Sequence, residues 1–203
     1  MMPTLIVLSE TISAKIISAF DNAVYGFISR YISEDMTRIM KSMTYWGSWW
    51  ALMIISSIIL ITAIALKKEK YFLCSLMISV NLAAGSLLNY ILKQLFHRTR
   101  PDLLKLIEIG GYSFPSGHSM TAMIFYGFLI YLSIRYLKHW LKYYIVGALC
   151  LLVLTIGVSR IYLGVHYASD VLGGFIIGLG WLAIFIKLTD RFVFHGGYFY
   201  SKK

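Results

Sequence analysis

The sequence predicts an all-α fold, a polytopic membrane helical bundle with six transmembrane helices, as one integral membrane domain over residues 1–203. Two observations carry this. Of the 203 residues, 59% are hydrophobic and only 14% charged, where a soluble domain has roughly 25% charged residues. The mean hydropathy is +0.72, and the apolar residues come in blocks close to the ~20 residues that cross a ~30 Å hydrocarbon layer.

The first block, Leu5–Ile28, is the weakest, because Glu10, Lys15 and Asp21 interrupt it. It could instead lie on the surface as an amphipathic helix. Its three charged residues could pair within the bundle or line a polar groove. No basic n-region with a small-residue cleavage site is evident, so this block is expected to serve as an uncleaved anchor. Five stronger blocks follow: Trp49–Leu66, Tyr71–Leu92, Ser119–Leu137, Tyr143–Val158 and Val171–Leu188. Trp46, Trp49 and Trp50 suit an interfacial belt. In the last block Gly174 and Gly178, four apart, permit close helix approach inside the bundle. Cys74 and Cys150 lie in apolar runs without metal or disulfide spacing and are expected to be packing residues.

Charge sets the expected orientation. Lys67, Lys68 and Lys70 fill one turn, and Arg135, Lys138 and Lys142 flank another. Lys187, Arg191, Lys202 and Lys203 follow the last block. These clusters belong on one side, which the positive-inside rule makes cytoplasmic, with both termini there. A net charge of +10 would suggest nucleic acid in a soluble protein. Here the cations sit at the ends of apolar runs, so the expected partner is the lipid bilayer and no nucleic acid. Lys93, Arg98, Arg100, Lys105 and Arg160 fall on the outer side, against the charge rule, and need another purpose.

Three segments at the ends of apolar runs supply one. In Lys93–Pro101 (KQLFHRTRP), Lys93 and Arg100 are seven apart and would share a face if the helix continued to Pro101. In Pro115–His118 (PSGH), Ser116 is a good N-cap, with Gly117 and His118 in the first turn of the next helix. Free N–H groups at a helix start attract an anion, and Gly117 lets one approach the backbone. In Ser159–Asp170 (SRIYLGVHYASD), His166 and Asp170 would lie on one helical face. There the carboxylate can fix the ring tautomer and leave the other nitrogen free to attack. His97 reads as a solvated loop histidine. His139 and His195 fall on the cytoplasmic side, away from these segments. Tyr112, Ser113 and Phe114 are expected to shape an entrance.

Together and in order, these segments resemble the type 2 phosphatidic acid phosphatase superfamily of lipid phosphate phosphatases, whose pattern is KxxxxxxRP, PSGH, SRxxxxxHxxxD. Every fixed position is matched: Lys93, Arg100 and Pro101; Pro115 to His118; Ser159, Arg160, His166 and Asp170. The length and six-helix plan are similar to the compact bacterial members.

The resemblance implies an integral membrane phosphatase that hydrolyses a lipid phosphomonoester, phosphatidylglycerophosphate or phosphatidic acid, at the outer membrane face. It implies His166 as nucleophile forming a phosphohistidine, Asp170 orienting it, and His118 as general acid. Lys93, Arg100, Ser116, Gly117 and Arg160 would hold the phosphate. With three cations and no carboxylate cluster, the expectation is metal-independent hydrolysis with no cofactor. An alternative substrate is undecaprenyl pyrophosphate. An alternative of another class is a non-catalytic lipid-binding or transport protein. Soluble vanadium haloperoxidases have a similar site, but spanning helices argue against that reading.

Overall fold

A backbone in hydrocarbon must satisfy its own N–H and C=O groups, and apolar runs of this length do so as helices. The computed structural model describes residues 2–102, 104–137 and 140–194, with no side-chain description for 2–12 and 194. Seven α-helices form: α1 Met2–Ile28, α2 Glu34–Tyr45, α3 Trp49–Ala65, α4 Glu69–Phe96, α5 Gly117–Tyr136, α6 Leu141–Tyr162 and α7 Ala168–Thr189. No strand occurs among the described residues. All six expected blocks are helical. By length and apolarity α4, α5, α6 and α7 can each cross a membrane, and α2 with α3, bent by 49° at their junction, make a fifth candidate. Helix α1, 27 residues long, reaches about 40 Å, enough for a sixth.

Helix α2 was not anticipated. It has only 12 residues, too few and too polar for a search for ~20-residue apolar blocks. Its start is nevertheless well specified: the Ser33 hydroxyl accepts the Met36 N–H at 3.3 Å, and Glu34 and Asp35 occupy the first turn, where carboxylates favour the helix dipole.

A second difference concerns α4. It runs on to Phe96 and stops where His97 takes a left-handed φ of 47°, its N–H bonding the Lys93 carbonyl at 3.2 Å. A left-handed C-cap closes a helix, so Lys93 is in the last turn while Arg100 lies on the following loop, not one helical face further along. Helix α7 likewise begins at Ala168, so His166 precedes it in a tight turn instead of sharing its face with Asp170. Gly164 makes that turn possible: its φ is +70°, and a Cβ there would lie 2.3 Å from the Leu104 carbonyl oxygen.

The apolar core joins Leu52 of α3, Ile78 and Leu82 of α4, Phe125 and Phe128 of α5, Ile156 of α6 and Leu182 of α7. Helix α5 packs against α4, α6 and α7. A Cβ on Gly174 would lie 2.9 Å from the Ser116 carbonyl oxygen, and one on Gly178 would lie 3.0 Å from that of Met120. The small pair therefore serves packing inside the bundle, as expected. Asn81 bonds the Ile124 carbonyl at 2.9 Å and accepts the Trp181 indole at 3.0 Å, satisfying a buried amide between helices. Cys74 and Cys150 are free thiols.

The antiparallel helices sort the charges to two ends. The end of α4, start of α5, end of α6 and start of α7 come together and carry all three motif segments. At the other end Lys70 sits 3.8 Å from the Tyr136 ring, and Arg135 pairs with Asp190 at 2.8 Å. Lys138, His139, His195, Lys202 and Lys203, and the side chain of Glu10, lie outside the described residues.

Candidate active site

Four helix termini and two loops converge on His166, which is 3% exposed. Its Nε2 lies 3.2 Å from Arg100 Nη1. A guanidinium can only donate, so Nε2 accepts and the ring proton belongs on Nδ1. That nitrogen faces Ser113 Oγ at 3.3 Å and Asp170 Oδ2 at 3.5 Å. Burial, the largest influence, and the neighbouring Arg160 and Arg100 push the imidazole pKa down to about 4, with Asp170 opposing them. At neutral pH the ring is therefore uncharged, with a lone pair on Nε2.

Three cations surround this ring, and among the described residues none pairs with a carboxylate. Lys93 donates to the carbonyls of Tyr112 at 2.6 Å and Ser113 at 3.4 Å. Arg100 donates to the carbonyls of Val165, Gly110 and Gly111 at 2.8, 2.9 and 3.0 Å. Arg160 is 1% exposed, donates to Thr44 Oγ1 at 2.7 Å, and among the described residues leaves its buried Nε without a partner. With Arg160 buried and Lys93 and Arg100 half-buried, a cation cluster without counter-charge is costly, and an anion placed here would relieve it.

Ser116 caps α5 as its residue type predicts. Its hydroxyl accepts from Ser119 Oγ at 2.9 Å and Ser119 N–H at 3.5 Å, while its own N–H bonds the Asp170 carbonyl at 3.1 Å. Gly117 opens the helix: a Cβ there would approach Asn89 Oδ1 to 3.2 Å and Lys93 Cε to 3.9 Å. His118, in the first turn, is within electrostatic reach of Arg160, His166, Arg100 and Lys93. All eight residues singled out from spacing thus gather at one end of the bundle. Among the described residues no group of three or more His, Cys, Asp or Glu side chains could hold a metal ion.

Four further residues escaped the sequence reading. Ser113 does not shape an entrance: it is fully buried and donates to Asp170 Oδ2 at 2.5 Å. Arg98, counted only as an outer cation, pairs with Asp170 at 2.6 Å and with Asp21 at 2.9 Å. Asp21, a charge inside an apolar helix and so a sign of function, pairs within the bundle, as one of the two readings of that helix's charges allowed. Thr44 came from the unanticipated α2. Asp21, Arg98 and Tyr167 also line a cavity of about 540 Å³, whose other walls include Ile17, Phe96 and Phe114.

Residues 72–194, more than half of the chain, match the PAP2 superfamily model. The chain is similar to phosphatidylglycerophosphatase B of Bacillus subtilis, 43% identical over 97 residues, which cover 46% of this chain and 47% of that protein. It is 37% identical over 123 residues to lipid A 4'-phosphatase of Bacteroides thetaiotaomicron, covering 53% and 52%. These alignments span about half the length of each curated relative. Among solved structures, a transmembrane PAP2-type phosphatidylglycerolphosphate phosphatase from Bacillus subtilis superposes with a TM-score of 0.80 at 27% identity, covering 94% of both chains. LpxE of Aquifex aeolicus superposes with a TM-score of 0.63 at 26% identity, covering 81% of this chain and 93% of its own. Sequence and fold agree, and this multi-pass helical chain belongs to the PAP2 superfamily.

Proposed function

We propose that this chain, acting as a single domain, is a metal-independent membrane lipid phosphatase working through a phosphohistidine. The observation that carries the reading is the trio of buried Arg160 and half-buried Lys93 and Arg100, without carboxylate partners among the described residues, beside a neutral imidazole. His166 Nε2 attacks phosphorus in line while the P–O bond to the lipid alcohol breaks, and His118 gives that oxygen its proton. His118 then takes a proton from water, whose oxygen attacks the phosphohistidine, releasing inorganic phosphate and restoring His166. The three cations, the Ser116 hydroxyl and the Gly117 N–H bind the equatorial oxygens as charge develops. The Nδ1–H facing Ser113 and Asp170 holds the ring in the attacking tautomer.

The site end faces outward and both termini are cytoplasmic, because Lys67, Lys68, Lys70, Arg135 and Lys142 crowd the opposite end. In that arrangement α1 is the sixth span. Phosphatidylglycerophosphate is the favoured substrate, supported by the name of the Bacillus subtilis phosphatase that this chain resembles in sequence and in fold. The apolar walls of the cavity beside Arg98 suit lipid hydrocarbon.

The test is a panel of phosphatidylglycerophosphate, phosphatidic acid and undecaprenyl pyrophosphate in detergent micelles, with excess EDTA, for wild type and His166→Ala. The expected result is phosphate release with the highest kcat/KM on phosphatidylglycerophosphate, and its loss in a folded His166→Ala. Release that needs Mg²⁺ overturns metal independence, and a fully active His166→Ala overturns the mechanism in favour of another nucleophile. Phosphate-sensitive binding with no turnover of any substrate favours a non-catalytic lipid-binding protein.

A further inference from the structure

Asp21 of α1 lies far in sequence from the three motifs and outside the stretch matched by the family model, yet it is 4% exposed and fully engaged. Its Oδ1 accepts the Ser169 N–H at 2.7 Å, and its Oδ2 accepts Ser169 Oγ at 2.8 Å and Arg98 Nη2 at 2.9 Å. It therefore caps the first turn of α7 from another helix. The other terminal nitrogen of Arg98 donates to Asp170 Oδ1 at 2.6 Å and to Ser169 Oγ at 2.8 Å. The guanidinium also lies 4.2 Å from the Tyr167 ring centre. One cation thus bridges two buried carboxylates, one from α1 and one from α7. On its opposite side Asp170 accepts Ser113 Oγ and the Tyr167 N–H and faces His166 Nδ1.

We propose that Asp21 is a positioning residue: it holds Arg98, and through Arg98 it sets both the place of the Asp170 carboxylate and how much of its charge His166 feels. Helix α1 is then a working part of the site and not merely an anchor. The proposal rests on His166 being the nucleophile. Its logic is electrostatic as well as steric. With Asp21 present the trio carries a net negative charge; without it, Arg98 belongs to Asp170 alone and the imidazolium formed in catalysis loses support. Removing Arg98 acts oppositely, freeing the Asp170 charge for His166. Arg100 of the loop after α4, His118 of α5 and Arg160 of α6 also lie within electrostatic reach of His166, with Lys93 of α4 on the neighbouring Tyr112 and Ser113 carbonyls, and none of them is altered in either variant.

The experiment uses full-length protein in detergent, with ¹⁵N-labelled histidine to follow the His166 ring through acid titration, beside kcat and KM on the preferred lipid phosphate. Asp21→Asn should move the His166 midpoint down and Arg98→Gln should move it up, each by about half to one pH unit. The double variant should return near wild type. Asp21→Asn should lower kcat about tenfold, with KM changed less than about twofold. Shifts in the same direction, no shifts, or a wild-type kcat for Asp21→Asn overturn the proposal. Should Asp21→Asn fail to fold, Asp21→Glu keeps the charge on a longer arm; it should preserve the midpoint and lose kcat, and a wild-type kcat there sinks the idea. His166→Ala is measured alongside: if it retains turnover the nucleophile reading falls, while opposed ring titrations in the other variants still support the network.

Discussion

Arg160→Met separates the two things a buried cation can be, a structural element or a ligand for an anion. Arg160 is 1% exposed, and among the described residues its side chain has one hydrogen bond, 2.7 Å to Thr44, with a buried Nε unmatched. Taking a lone charge out of water costs several kcal/mol, which methionine of similar length would relieve. Against that, the stranded Thr44 hydroxyl loses about 1–3 kcal/mol. The balance predicts unchanged or higher thermal stability in detergent. Breaking a buried ion pair would instead cost about 3–5 kcal/mol. Activity should move the other way: a missing transition-state donor costs about 10²–10³-fold in kcat, or about 2.7–4 kcal/mol. The two measurements are joined by phosphate. A ligand at 100 times its Kd stabilises the folded state by about 2.7 kcal/mol, so phosphate should raise the wild-type Tm and raise that of the variant far less. If Arg160→Met unfolds several kcal/mol more easily and phosphate protects it as fully as wild type, Arg160 is structural and the anion argument is wrong.

Under the proposed mechanism, acid should act on this protein through His166. Its pKa near 4 predicts an acid limb on which kcat/KM falls about tenfold per pH unit below that value, as the protonated ring cannot attack. Because the folded pKa lies below the unfolded value of about 6.5, the unfolded chain binds more protons between them. Stability should therefore fall as pH drops from about 6.5 towards 4, and a pH series of melts checks the sign. Ser113→Ala removes the hydroxyl lying 2.5 Å from Asp170 and 3.3 Å from His166; kcat should drop about tenfold with KM nearly unchanged, whereas a changed KM alone would mark it as a substrate contact. Gly174→Ala places a Cβ 2.9 Å from the Ser116 carbonyl oxygen. It should cost about 1–3 kcal/mol of stability, and a melt equal to wild type would show that α5 and α7 separate freely.

Much of the fold was legible because hydrocarbon imposes a simple rule, long apolar blocks folded as helices. The blocks were found, but their ends were not. The stop of α4 depends on His97 entering the left-handed region at φ 47°, which histidine visits more than most residues but still uncommonly, so the loop that follows makes the choice. The start of α7 depends on Gly164 passing close under Leu104, a contact between segments 60 residues apart. Helix α2 escaped because a short amphipathic helix has no membrane-length signal, and with it went Thr44, the side-chain hydrogen-bond partner of the Arg160 guanidinium among the described residues.

What the sequence alone determined is the helical class, the division of charge between two ends, and the reactive residues at fixed spacing within three short segments. Within such a segment, local geometry restricts which groups can meet. Only tertiary structure decided who serves those residues. Ser113 was close in sequence but turned inward to Asp170, Arg98 chose the same carboxylate over headgroups, and Asp21 came from a helix with no motif at all. Ser113 and Asp21 are buried and Arg98 half-buried at an end of the bundle, where an unsatisfied polar group is costly. The partner that satisfies it is whichever the packing of distant helices brings within hydrogen-bond reach.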